Sequence, residues 1–222
     1  MSRPLQVIEA GRVPYEDALA WQRRLAQEQI ADRSLPDTLL LVEHPPVLTL
    51  GRGSRAAHLL NTSGIDVVEV ERGGDVTYHG PGQLVGYPIL DLTQHRADLH
   101  WYLRNLERAL IAALGNVGID ACVNPGYTGV WTNGRKIASI GVHVKQWVTW
   151  HGFALNVSTD LKQFERIVPC GIEGVEMTSV EREQAGSWEL GGGSRELWDR
   201  SVDAVVRAFE AAFGLTAGAP TR

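Results

Sequence analysis

The strongest constraint on how this chain folds is where its helical periodicity stops. Apolar residues keep helical spacing in only three stretches, and the rest of residues 38–157 is a series of short β-type segments cut by turn residues. Pro14 opens the first helical stretch, in which Tyr15, Ala18, Leu19, Gln22, Leu25 and Ile30 follow one face towards Arg33. Leu99, Tyr102, Leu103, Leu106, Leu110 and Leu114 mark the second over residues 98–114, with Gly115 as its expected C-cap. Leu197, Val202, Val205, Val206, Phe209 and Phe213 mark the third over residues 194–213, behind the flexible Gly191-Gly192-Gly193.

Residues 38–42 and 47–50 are apolar runs split by Pro45-Pro46, and they read as buried strands of one sheet. Residues 67–71 lead into a glycine-dense run, Arg72-Gly73-Gly74-Asp75-Val76-Thr77-Tyr78-His79-Gly80-Pro81-Gly82-Gln83, after which 84–90 resume an apolar strand. Residues 129–132, 136–144 and 147–156 form a meander, with Asn133-Gly134 as a strong hairpin signal. With no internal repeat, the expected product is a single α+β domain over residues 1–222, its helices mostly on one side of a sheet.

Composition narrows the function classes. Hydrophobic residues make up 44% and charged residues 21%, enough apolar material for an autonomous core. The formal charge of -5 has the wrong sign for a non-specific nucleic-acid binder. No segment approaches the roughly 20 apolar residues of a membrane span, so neither nucleic acid nor membrane is an expected partner and a cytoplasmic location is. The only cysteines, Cys122 and Cys170, exclude a disulfide framework, and the scattered histidines offer no zinc-like spacing. Each thiol therefore needs its own explanation.

Cys170 lies in Ile167-Val168-Pro169-Cys170-Gly171-Ile172, where proline stiffens the approach and glycine permits close contact. That suits either a nucleophile, whose thiolate must be accessible and stabilised, or a buried structural thiol. Cys122, in Ile119-Asp120-Ala121-Cys122-Val123, reads as a small buried hydrophobe in a strand. Lys136 opens a strand after the hairpin turn; near a thiol it would favour the thiolate or, if desolvated, take a proton. The glycine run matches neither a phosphate-loop nor a dinucleotide signature, so its backbone either meets a ligand or simply turns. His79 fits a base for Cys170, an oxyanion donor or a structural histidine, and Asp75 an orienting or capping role.

Four ordered blocks then resemble the lipoyl(octanoyl) transferase family. They are Glu43-His44-Pro45-Pro46-Val47-Leu48-Thr49-Leu50-Gly51, residues 72–87, residues 134–141, and His151-Gly152-Phe153-Ala154-Leu155-Asn156 leading to Val168-Pro169-Cys170-Gly171-Ile172. The second block is the most specific, through Arg72-Gly73-Gly74, Thr77, His79, Gln83 and Tyr87. Residues 1–35 and those after Glu181 add nothing to the match.

The resemblance implies a mixed β-sheet flanked by helices, similar to the catalytic domain of biotin protein ligases and lipoate-protein ligases. It implies that Cys170 carries an acyl thioester and that Lys136 tunes the thiol and handles protons. It further implies an acyl site lined by Arg72, Gly73, Gly74, Asp75, Val76, Thr77, Tyr78 and His79, by Ser139, Ile140 and Gly141, and by Gly152, Phe153 and Ala154. The implied donor is octanoyl-acyl carrier protein. The implied acceptors are lipoyl domains of 2-oxoacid dehydrogenase E2 subunits and the glycine cleavage H protein.

No cofactor, ATP or metal is expected, because a thioester donor is already activated, and backbone amides beside Cys170 are the expected oxyanion donors. An ATP-dependent ligase, a thiol hydrolase and a non-catalytic acyl-carrier binder are the competing readings.

Overall fold

Leu39, Leu40, Leu41 and Val42 are each at most 2% exposed, which explains why this strand is continuously apolar instead of alternating. It is buried on both faces. The computed structural model describes residues 3–185 and 194–218. Its strands are Arg3–Arg12 (β1), Asp37–Glu43 (β2), Val47–Leu50 (β3), Asp66–Glu69 (β4), Val76–His79 (β5), Gln83–Ile89 (β6), Cys122–Asn124 (β7), Tyr127–Thr132 (β8), Arg135–Lys145 (β9), Val148–Asn156 (β10) and Leu215–Ala217 (β11). The helices are Tyr15–Ala31 (α1), Leu99–Asn116 (α2), the short Val180–Gln184 (α3) and Ser194–Phe213 (α4).

Eight strands form one mixed sheet in the order β11-β1-β2-β6-β10-β9-β8-β7. β1 runs parallel to β2 and β11, and the remaining pairs are antiparallel. Alternate residues of β2 serve two cores: Leu39 and Leu41 join the α2 and α4 side, while Leu40 and Val42 join the α1 side. Helices therefore cover both faces, which corrects the one-sided expectation. The first helical stretch is apolar enough to close the second face, because Tyr15, Ala18, Leu19 and Ala26 are buried while Leu25 and Ile30 are only partly so.

β3 lies not beside β2 but in a second sheet of order β4-β3-β5, a further correction. Pro45 and Pro46 remove two ladder donors, so the chain leaves the first sheet and starts another. The second helix ends on Val117 instead of Gly115; Gly118, at φ 83°, takes the left-handed position that ends it. Its N-cap is Asp98, which accepts from the Trp101 N–H. The hairpin at Asn133-Gly134 forms with both residues at positive φ, as a type I′ turn requires. The run 191–193 lies outside the described residues, and among those described no helix is long and apolar enough to cross a membrane.

Candidate active site

β9 and β10 pair Ser139 with Ala154 and Gly141 with Gly152, so the two segments are neighbours across one ladder. The 72–75 loop is fastened to the same place by Gly73, whose N–H donates to the Val142 carbonyl at 2.9 Å. These segments wall a cavity of about 270 Å³ that also holds Thr77, His79, Lys136 and Cys170. Val76 and Tyr78 do not reach it. They occupy the opposite face of β5, in an apolar cluster with Leu48, Phe164, Ile167 and Met177, so a lining role for them is corrected by strand alternation. The sequence reading missed Tyr15, Tyr87 and His151, which also line the cavity. Tyr87 and His151 stood inside the resembling blocks, whereas Tyr15 carried only the signal of a helix face.

Cys170 occupies the tight turn Pro169–Gly171 at φ 56° and ψ 20°. Left-handed backbone costs a non-glycine residue about 1–2 kcal/mol. Its Sγ lies 3.7 Å from Ser139 Oγ. The amides of Gly171 and Ile172 donate to the Val168 and Pro169 carbonyls, at 3.0 and 3.1 Å. Those two amides are therefore spent on the turn and do not serve an oxyanion. Cys122, by contrast, is exposed on β7 at the sheet's edge, so the buried-hydrophobe reading is wrong although the strand assignment holds.

Lys136 is only 1% exposed. Its Nζ stands 4.9 Å from the centre of the Trp131 ring, a cation–π arrangement. A Cβ on Gly129 would come within 2.9 Å of Lys136 Cε, so the lysine stem crosses the strand where only glycine leaves room. The backbone of Lys136 is stitched to the segment after Cys170: its N–H donates to the Glu176 carbonyl at 2.8 Å, and its carbonyl accepts from Thr178 at 2.9 Å.

Arg72 is buried, and its guanidinium donates to neutral oxygens: Thr49 O and Oγ1, Gly73 O and Asp75 O. Burial lowers its pKa, and attraction to negative charge at Tyr15, Cys170, Tyr87 and Asp75 opposes that.

Two histidines beside the cavity have assigned protons. Gln83 Nε2 donates to Tyr78 O and Asn156 Oδ1, which leaves Oε1 to accept from His79 Nδ1 at 2.7 Å. Burial, followed by the neighbouring His44, pushes the His79 pKa well below its ordinary value. The neutral ring has no Nε2 proton to donate, so it is not an oxyanion donor. His44 Nδ1 donates to the Val13 carbonyl and Nε2 accepts from the Tyr87 hydroxyl, each at 2.7 Å.

Burial pushes His44 from 6.5 down to about 4. The unfolded chain therefore takes up this proton first as pH falls. The stabilisation is complete above about pH 6.5 and is lost as pH drops through about 4, a loss of about 3 kcal/mol. Urea unfolding between pH 7 and 4 should show a steep fall in stability in the parent and a shallower one in His44→Gln. Parallel slopes would exclude His44 as the source.

The mixed sheet with helices on both faces is the architecture of a lipoyl protein ligase A/B catalytic domain. The crystal structure of lipoate-protein ligase A bound with ATP matches at a TM-score of 0.69 and 17% identity, over 98% of this chain and 88% of that one, a likeness of fold alone. The chain belongs to the lipoyl protein ligase A/B catalytic domain family, whose model matches residues 14–213. Among its relatives, the octanoyltransferase of Gloeobacter violaceus is 59% identical over 167 residues, 75% of each chain. That of Geotalea uraniireducens is 51% identical over 186 residues, 84% of this chain and 86% of its own.

Proposed function

We propose that this protein is a cytoplasmic octanoyltransferase that moves an octanoyl group from acyl carrier protein, through a thioester on Cys170, to a lysine of a lipoyl domain. The acceptors would be lipoyl domains of 2-oxoacid dehydrogenase E2 subunits and the glycine cleavage H protein. The observation that carries this reading is that Cys170, Lys136 and Arg72 converge on one cavity whose wall includes the apolar side chains of Val85, Ile140, Phe153, Ala154 and Ile172. A nucleophile, a proton carrier and a fixed cation thus share a chamber with an apolar wall.

In the first half-reaction Lys136 takes the Cys170 proton, the thiolate attacks the donor carbonyl, and the carrier thiolate leaves and receives that proton from Lys136, which returns to the neutral amine. One thioester replaces another, so no other activation is needed. In the second half-reaction the uncharged acceptor lysine attacks the acyl-enzyme. An amide forms, the acceptor nitrogen gives its proton to the Lys136 amine, and Cys170 is released. Ser139 Oγ, beside the sulfur, supports the developing charge on the carbonyl oxygen.

Intact mass after mixing with octanoyl-carrier thioester should show one octanoyl group, located on Cys170 by peptide mapping. Each methylene buried against the apolar wall contributes about 0.8 kcal/mol. A hexanoyl donor should therefore lose about 1.6 kcal/mol, roughly 15-fold in specificity constant. An unmodified Cys170, or equal specificity from butanoyl to dodecanoyl donors, would refute the acyl-pocket reading.

A further inference from the structure

Cys170 and Gly171 adopt left-handed conformations in succession, at φ 56° and 68°. A cysteine stays there only if its surroundings over-determine it. The surroundings that do so lie under the turn, in residues outside the mechanism above. His58 Nδ1 donates to Asp75 Oδ2 at 2.6 Å, and the side chains are only 16% and 11% exposed. The other carboxylate oxygen, Oδ1, accepts from the N–H of Val76 at 2.6 Å, so both oxygens are engaged.

The pair touches the turn directly. A Cβ added to Gly171 would lie 2.6 Å from Asp75 Oδ2 and 3.3 Å from His58 Cε1. The main chain of His58 is also part of the support, since its carbonyl accepts from the Val168 N–H at 2.9 Å, and Leu59 bridges Ile167. Asp75 in turn receives Arg72 Nη1 on its carbonyl at 2.8 Å. One histidine–carboxylate hydrogen bond therefore connects the strap 58–61, the glycine-rich loop and the cysteine turn.

We propose that His58 and Asp75 are positioning residues for acyl transfer, acting by fixing the backbone of the Cys170 turn. The inference rests on the reading of Cys170 as nucleophile. Displacing a nucleophile by about 1 Å lowers rate on the order of 100-fold while leaving the substrate's binding surface in place.

The test uses the full chain in a Cys122→Ala background, so that Cys170 is its only thiol. Time-resolved intact mass with octanoyl-carrier thioester gives the acylation rate at saturation and the half-saturating donor concentration. For His58→Leu, the saturated rate should fall about 10- to 100-fold with the half-saturating concentration nearly unchanged. His58→Asn retains an N–H close to the place of Nδ1 and should recover most of the rate. A His58→Leu protein acylated at the parent rate overturns the proposal. So does a His58→Asn protein as slow as His58→Leu when both melt with the parent. If His58→Leu does not fold, Asp75→Asn is read by the same two numbers, and the parent rate again overturns it. A parent that takes up no octanoyl group defeats the functional reading instead. The pair is then judged by iodoacetamide alkylation of Cys170, whose rate must change in His58→Leu and return in His58→Asn.

Discussion

Replacing Cys170 by alanine should abolish octanoyl transfer, while Cys122→Ala should leave it within a few-fold of the parent. The contrast follows from position. Cys170 faces the cavity on a turn held open to it, and without its sulfur no thioester forms and the two half-reactions lose their shared intermediate. Cys122 stands exposed on the sheet's edge strand, where removing a sulfur vacates no core volume. The measurement is steady-state transfer to a lipoyl domain together with the mass shift of the enzyme. Turnover in Cys170→Ala, or equal loss in both variants, would overturn the nucleophile assignment.

Lys136→Met should lower transfer by about 10²- to 10⁴-fold, the range contributed by a positioned acid or base. Methionine is the informative replacement because the lysine stem is packed: its Cε fills the space over Gly129. An unbranched apolar chain keeps that contact and removes only the nitrogen, so the loss is not a cavity effect. Separate single-turnover measurements of self-acylation and of transfer to the acceptor locate the loss. Proton uptake from the attacking amine predicts that the second step falls at least as far as the first. Parent-like rates in both steps would show that Lys136 only packs.

Much of this was legible because local patterns agreed with global ones. Residues 129–132 and 136–144 flank a turn whose Asn-Gly pair fixes the β8–β9 hairpin, and the next strand, β10, pairs with β9 so that Ser139 meets Ala154 and Gly141 meets Gly152. Failures came where a signal was short or compounded. β5 is four residues long and hidden among glycines, so its alternation went unread, and Val76 and Tyr78 were placed with Thr77 and His79. β1 was missed although Leu5 and Val7 face one core and Ile8 and Ala10 the other, because the adjacent Val7 and Ile8 break the apolar–polar alternation. The split of β2 and β3 between sheets depends on where the chain goes after Pro46, and local propensity does not encode that. Tyr15 and His58 reach the site from segments with no motif. Only the packing of α1 against β6 and β10, and the strap across residues 166–168, bring them there.

The stitching of Lys136 to Glu176 and Thr178 has a consequence for how such a site can change over time. The proton carrier and the segment that follows the nucleophile share a backbone ladder, with Lys136 bridged to Met177. Between Cys170 and that ladder run only a few residues of chain. Most surface connections tolerate added length, since closing a longer loop costs little entropy. This one is a spacer of fixed gauge. Lengthening it by a single residue shifts either the thiol or the ladder, so insertions and deletions should be purged here even where side chains are free to vary. The separation of the two groups is thus inherited as a chain length, and sequence drift can repaint the segment without resizing it.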